Sequence, residues 1–187
     1  MLRTATLCAI AMLAATPAWA RPPEPVVTVE SRAVDGTRFY EDSLVIRAPA
    51  KALWTAFTDT AAFRRWGAPV SKVDFRIGGE IEASYDPHGH LGDPDNIRNA
   101  FIAYLPGRLL VFRNVQAPAA LPGRELYPST VKIVEFEPLG AHSTRVTVSG
   151  VGFGDGPGFD RLYRFFLAGD GEQLKVLRAA YEAPAAH

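Results

Sequence analysis

The chain has 187 residues, of which 48% are hydrophobic, and its 20 basic side chains balance 20 acidic ones. This composition is typical of a globular protein of one domain and excludes a disordered tail or a collagen-like fibre. Because the charge is balanced, no field of one sign exists to concentrate a polyanion, which argues against general nucleic-acid binding.

Residues Met1–Ala20 have the pattern of a secretion signal. Arg3 is followed by a mostly apolar run, and Ala18 and Ala20 provide the small side chains that a leader peptidase accepts. The run is too short for a membrane span, which needs about 20 apolar residues. We therefore expect a periplasmic or secreted protein, cleaved after Ala20 and without stable membrane insertion; the alternatives are a membrane anchor or a buried first helix. Cleavage would remove Cys8, the only cysteine of the sequence.

The segment that follows begins with three prolines among five residues, so 21–37 is predicted to be extended. A strand over 38–47 comes next. It is followed by a helix near 50–57, whose apolar positions share one face. A second short helix is predicted from Thr60, its N-cap, to Trp66.

Strict alternation of apolar and polar residues over 73–77 and 81–85, with two glycines between them, predicts a β-hairpin with one buried face. In the strands predicted at 109–115 and 130–137 both sides carry apolar residues, so alternation does not assign their inner faces. The other predicted strands are 97–105 and 144–153.

From Pro157 to Glu182 the apolar period changes to 3.6 residues, which predicts a long C-terminal helix with a stripe of aromatic side chains. Gly169 and Gly171 interrupt the pattern, so a kink or two abutting helices are expected there. A single antiparallel sheet cannot bury its own face, and we therefore expect this helix to cover it, with the two short helices closing one end. Residues 183–187 are expected to form a tail.

Six short motifs occur along the chain: IRAPA at 46–50, LWTAFTD at 53–59, FRRW at 63–66, DFRIGG at 74–79, PGRLL at 106–110 and FEPLG at 136–140. In this order and spacing they resemble the START-like (SRPBCC) superfamily, and more narrowly its heat-shock-protein-90 ATPase-activator homology branch. The resemblance covers about residues 38–182. It implies an α+β helix-grip fold, in which a curved antiparallel sheet of about six to seven strands surrounds a long C-terminal helix, with two short helices after the first strand.

Proteins of this superfamily bind hydrophobic small molecules or lipids between sheet and helix, some catalyse cyclisation or dehydration, and some assist a chaperone. The resemblance therefore implies a hydrophobic small molecule or lipid as the partner, and it implies no cofactor and no catalytic residue. A cofactor-free cyclase or dehydratase in the same cavity is one alternative. A protein-interaction or stress-related factor of the cell envelope is another. The sequence does not decide among the three, and it does not indicate the oligomeric state.

Aromatic side chains are the candidates for lining such a cavity. The alternative is that they pack together as a solid core. Arg113 lies in an otherwise apolar strand, so it is a candidate for binding a ligand carboxylate, unless it points outward to solvent. The predicted aromatic lining consists of Trp54, Trp66, Phe75, Tyr85, Phe101, Phe112, Phe136, Tyr163 and Phe166.

The loop from Asp86 to Asp95 places His88 and His90 near several carboxylates, a set that could bind a divalent cation. The two histidines do not share a helical face, and the spacing does not match a calcium-binding loop. We therefore interpret the loop as a solvated turn and expect no metal.

Overall fold

The computed structural model describes residues 24–182; the predicted signal peptide at 1–20 and the predicted tail at 183–187 lie outside them. The described part contains eight strands, three α-helices and one 3₁₀ helix. The strands are β1 (Val27–Arg32), β2 (Arg38–Ile46), β3 (Val70–Val73), β4 (Glu80–Ser84), β5 (Ile97–Leu105), β6 (Leu109–Gln116), β7 (Val131–Gly140) and β8 (Ser143–Phe153). The helices are α1 (Ala50–Thr58), α2 (Thr60–Arg64), the 3₁₀ helix (Arg124–Ser129) and α3 (Pro157–Glu182).

The eight strands form one curved antiparallel sheet in the order β1-β2-β8-β7-β6-β5-β4-β3. The count exceeds the predicted six to seven because β1 lies in the segment that was expected only to be extended. This edge strand pairs with β2, from Val27 opposite Ser43 to Arg32 opposite Arg38. Its side chains are exposed along its whole length. It therefore buries no face of its own, and period-2 burial could not mark it.

The hairpin of β3 and β4 is present, but its first strand was predicted at the wrong place. β3 ends at Val73, and residues 74–79 form the connection, in which Gly78 has a φ of 76°. Phe75 packs against the core, whereas Ile77 is 56% exposed. The alternation over 73–77 thus belongs to a turn in which one aromatic ring points inward.

A single residue, Asp59, lies between the two short helices α1 and α2. Asp59 is the N-cap of α2, because its side chain accepts a hydrogen bond from the Ala62 backbone N–H at 2.8 Å. The predicted N-cap, Thr60, is the first helical residue instead. The helix ends before Trp66, whose indole N–H donates to the Ala56 carbonyl at 2.9 Å and so ties the end of α2 to α1.

α3 is unbroken from Pro157 to Glu182, so the expectation of two abutting helices at Gly169 and Gly171 is wrong. Each glycine costs roughly 1 kcal/mol of helix propensity. Buried Phe166 and Leu174 flank the glycines on the inner face of the helix, and their packing offsets that cost. No helix within residues 24–182 combines the length and the apolar character needed to cross a bilayer.

Two core clusters lie between α3 and the sheet. The larger one joins α1, α2, the sheet and the C-terminal half of α3, through Leu174 and Leu177. The smaller one joins the N-terminal half of α3 to Tyr40, Phe153 and the 3₁₀ helix. The predicted architecture, a sheet around a C-terminal helix with two short helices at one end, is confirmed.

Candidate functional site

A cavity of about 160 Å³ lies between the concave face of the sheet and α3, where the two core clusters meet. Four of its lining residues carry an amide or a charge, namely Asn99, Lys132, Asp170 and Gln173. An apolar pocket with a few polar groups is typical of a small-molecule site. The aromatic part of the wall consists of Phe57, Phe63, Trp66, Phe112, Tyr127 and Phe166, with Tyr85 at the rim.

Beside the cavity lies a groove of about 680 Å³, the outer groove, between the loop 86–96 and the middle of α3. The wall that the two spaces share includes Ala83, Phe166 and Asp170. The loop is fixed to the sheet because the Glu82 carboxylate accepts hydrogen bonds from the Gly92 backbone and from the Asn96 amide, the latter at 2.7 Å. The groove therefore has one wall of helix and one wall of anchored loop.

A polar cluster lies at the cavity wall where β2, β7 and α3 meet. Lys132 of β7 forms an ion pair with Asp170 of α3, and the Tyr40 hydroxyl of β2 also donates to Asp170. The Lys132 Nζ atom lies 2.9 Å from the Tyr40 hydroxyl oxygen and 4.5 Å from the centre of the Phe166 ring. Burial, together with the Asp170 charge, raises the pKa of Tyr40 far above its usual range. Its phenol therefore stays protonated and acts as a donor.

The strand register explains how Tyr40 reaches Lys132. Tyr40 and Lys132 both pair with Gly150, on the strand between them. A Cβ atom at Gly150 would lie 2.5–2.6 Å from the Tyr40 ring and hydroxyl. Because glycine has no side chain, the phenol crosses β8 and meets the lysine of the next strand.

A second carboxyl lies behind this cluster. Asp42 is fully buried, and its Oδ1 accepts a hydrogen bond from the Thr28 hydroxyl of β1. Its Oδ2 has no hydrogen-bond partner among the described residues. Burial raises the pKa of Asp42, and the Asp170 charge adds to the rise, while Thr28 and Lys132 oppose it.

Of the nine aromatic residues predicted to line a cavity, four do so: Trp66, Tyr85, Phe112 and Phe166. A ligand-binding role for them stays a prediction. Phe112 lies on the inner side of β6, which alternation had left unassigned, and Phe166 lies on the inner face of α3, as the helical period predicts.

The other five aromatic residues lie outside the cavity wall. Trp54 packs edge to face against Phe75 and Phe136, with ring centres 5.6 and 5.8 Å apart, and Phe75 packs against Phe101 at 5.1 Å. These four rings form solid core, which was the alternative interpretation. Tyr163 lies in the smaller cluster, where its hydroxyl donates to Glu30 at 3.0 Å and burial raises its pKa to about 12.

Arg113 is exposed and does not line the cavity. On β6 the buried positions are Leu110, Phe112 and Asn114, so the arginine between them points to the outer side of the sheet. Its predicted placement beside a ligand carboxylate is therefore corrected. The alternative, in which Arg113 points outward to solvent, agrees with the structure.

The two charged residues of the cavity were not predicted, although the sequence carries a signal for each. On β7, Glu135 and Glu137 are exposed and alternate with buried Val134 and Phe136, a phase that places Lys132 inward. On α3, Asp170 lies four residues from both Phe166 and Leu174, so it shares their inner face. Gly169 and Gly171 led instead to the prediction of a break in α3.

The histidine-containing loop is built from turns. Asp86 accepts a hydrogen bond from the His88 backbone N–H at 2.9 Å, and Asp93 accepts one from the Asp95 backbone at 2.8 Å. Such side-chain bonds are typical of Asx turns. Within residues 24–182, no group of three or more His, Cys, Asp or Glu side chains is placed to hold a metal.

A family model described as Activator of Hsp90 ATPase homolog 1-like protein matches residues 47–180. The chain belongs to this family. The match runs from the end of β2 to the C-terminal half of α3, and so includes Lys132, Asp170 and most of the cavity wall. A comparison with curated proteins found no match.

Solved structures share the fold of this family member at low sequence identity. An Aha1 dimer from Colwellia psychrerythraea is 14% identical, with a TM-score of 0.61, and the match covers 78% of this chain and 97% of that one. CalU16 from Micromonospora echinospora is 16% identical, with a TM-score of 0.57 and coverage of 85% and 86%. Mll3558 from Rhizobium loti is 25% identical, with a TM-score of 0.53 and coverage of 82% and 99%. The first two likenesses concern the fold alone. Family membership and the cavity together fit a ligand-binding domain.

Proposed function

We propose that this protein binds a hydrophobic small molecule or lipid in the cavity between the sheet and α3. The observation that carries the proposal is the cavity itself, whose aromatic wall surrounds the Lys132–Asp170 ion pair. Fully buried Tyr40 supports this pair from behind the wall. Burial of apolar ligand surface there would contribute about 25 cal/mol per Å². The polar cluster would fix the orientation of the ligand.

Native mass spectrometry of protein purified from the envelope of its own host tests this proposal. A molecule of defined mass should accompany the wild-type protein. It should be lost from Ala83→Leu, because Ala83 lies in the wall shared by the cavity and the groove and a larger side chain there would occupy ligand space. Ala103→Leu is the matched control, since Ala103 is exposed on the next strand. An empty wild-type protein, or equal retention by Ala83→Leu, would contradict the proposal.

One observation favours a second candidate, a cofactor-free cyclase or dehydratase. A lysine ammonium and a carboxylate line the cavity, and such groups can donate and accept protons. The two functions differ in what the cavity holds. An enzyme would carry its substrate in Asp170→Asn and the product in the wild type. A carrier would yield the same molecule from both, as its mass spectrum would reveal.

The third candidate, an interaction or stress-related factor of the cell envelope, would use an outer face and would not need a cavity. The space between sheet and helix in this chain favours the other two.

Export to the periplasm or the exterior forms part of the proposal and rests on the pattern of residues Met1–Ala20. The full chain with a C-terminal tag, expressed in a Gram-negative host, should be found in the periplasmic fraction or the medium. Its intact mass should correspond to a chain that begins at Arg21. A full-length protein in the cytosol would contradict export without affecting the cavity.

A further inference from the structure

We propose that the cavity selects an uncharged ligand, a hydrophobic molecule whose polar group is a carbonyl or hydroxyl oxygen. The inference rests on the proposed function and names the chemical class of its ligand. It excludes fatty acids, other carboxylates and amines as the preferred occupants.

The charges of the cavity wall cancel. Lys132 and Asp170 are the two charged residues among its described lining, and they form an ion pair whose side chains are only 15% and 14% exposed. The remaining polar lining groups are the amides of Asn99 and Gln173 and the tyrosine hydroxyls, which carry no charge. A charged ligand would therefore enter an apolar space without a counter-charge of its own, and the loss of its hydration opposes binding.

Either kind of charged ligand would have to share a partner whose charge is already neutralised within the pair. A carboxylate would compete with Asp170 for Lys132. An ammonium group would compete with Lys132 for Asp170, whose carboxylate also accepts the Tyr40 hydroxyl. Lys132 additionally contacts Tyr40 and the Phe166 ring.

A neutral oxygen can bind without breaking the pair. An ammonium group has three N–H donors, and among the described residues Lys132 uses two, toward Asp170 and Tyr40. The third can donate to a carbonyl or hydroxyl oxygen that lies in the cavity. Because the donor is charged, such a bond is stronger than one between neutral groups. The aromatic wall would hold the apolar part of the same molecule.

The outer groove adds to the discrimination against anions. Asp86, Asp93 and Asp95 contribute to its lining, and none of its described lining residues is a lysine or an arginine. A carboxylate in the groove would therefore meet like charge beside the neutral cavity. Asp42 does not line the cavity and offers no counter-charge to an ammonium group.

Three probes of nearly equal shape test the inference: 2-acetylnaphthalene, 2-naphthoate and 2-naphthylmethylammonium, titrated at pH 7 by fluorescence. The wild-type protein should bind the ketone at least tenfold more tightly than either ion. Asp170→Asn leaves Lys132 without its counter-charge, so naphthoate should become the tightest ligand. Lys132→Met leaves Asp170 unpaired, so the ammonium probe should become the tightest.

The opposite shifts of the two variants separate recognition of charge from a general loss of structure, and either variant alone preserves the test if the other does not fold. Circular dichroism and thermal unfolding establish that a variant is folded. Binding of either ion by the wild type as tightly as the ketone would overturn the inference and leave the proposed function standing. The absence of binding by all three probes would contradict the proposed function itself.

Discussion

The Lys132 ammonium lies 2.9 Å from the Tyr40 hydroxyl although a whole strand separates the two residues. Gly150, which pairs with both, makes this contact possible because it has no side chain in the path of the phenol. The polar cluster of the cavity therefore depends on a residue that takes no part in its hydrogen bonds.

Replacement of that glycine should destabilise the protein. In Gly150→Ala the new Cβ would lie within 2.6 Å of the Tyr40 ring, and Tyr40 is fully buried, so the ring must shift against packed neighbours. We expect a loss of roughly 1–3 kcal/mol in the free energy of unfolding, measured with urea. Gly140→Ala is the control on the same sheet, because a Cβ atom at Gly140 would meet no other atom within 4 Å. Equal stability of the two variants would refute the steric explanation.

Asp42 should make the protein less stable as the pH rises. Its pKa is raised in the folded state by burial and by Asp170, so between about pH 4, where an unfolded aspartate titrates, and the folded pKa the native state binds more protons. The contribution of Asp42 to the free energy of unfolding is fully present below that pH range, and it is lost as the pH increases through the range. Besides Asp170, the charged groups that act on Asp42 are Lys132, which opposes the rise, and Glu30, which adds to it.

We therefore expect Asp42→Asn to raise the melting temperature by a few degrees at pH 7 and to have little effect at pH 3. The change is measured by thermal unfolding across this pH range. Asp35→Asn is a control of opposite sign, because hydrogen bonds from Thr37 lower the pKa of Asp35. A destabilised Asp42→Asn variant at pH 7 would be inconsistent with a carboxyl whose ionisation opposes folding.

The cap of α2 provides a local test of the fold. Asp59→Ala removes the acceptor of the Ala62 backbone N–H, and a lost N-cap costs about 1 kcal/mol. Asp59→Asn retains a side-chain oxygen and should recover most of that stability. Chemical unfolding of the three proteins measures the differences. Equal stability of Asp59→Ala and the wild type would contradict this cap.

The elements that the sequence predicted best are those whose signals are local. The turn Pro106-Gly107-Arg108 divides β5 from β6, and the 3.6-residue period marks α3 from end to end. The predictions for β1 and for the residues after Val73 were wrong for the opposite reason. Only the tertiary structure decides which of their side chains are exposed.

The cavity residues divide in the same way. Phe166 was found because the 3.6-residue period marks the inner face of α3, whereas Phe112 was named only as an aromatic residue of a strand whose inner face alternation did not assign. Lys132 and Asp170 were missed because a charge on an inner face contradicts the ordinary preference for apolar residues there. The pairing of the two, and the role of Gly150 beside them, follows from strand register and helix position, which no local pattern contains.

The most direct test of the account is the location of a bound hydrophobic probe. Methyl NMR spectra of the protein, recorded during a titration with 2-acetylnaphthalene, report contact at individual side chains. We expect the shifts to concentrate at four methyl-bearing residues of the cavity wall, Ile81, Val134, Val148 and Leu174. Shifts confined to exposed Val27, Val29 and Leu105, or a spectrum without change, would contradict a ligand site between the sheet and α3.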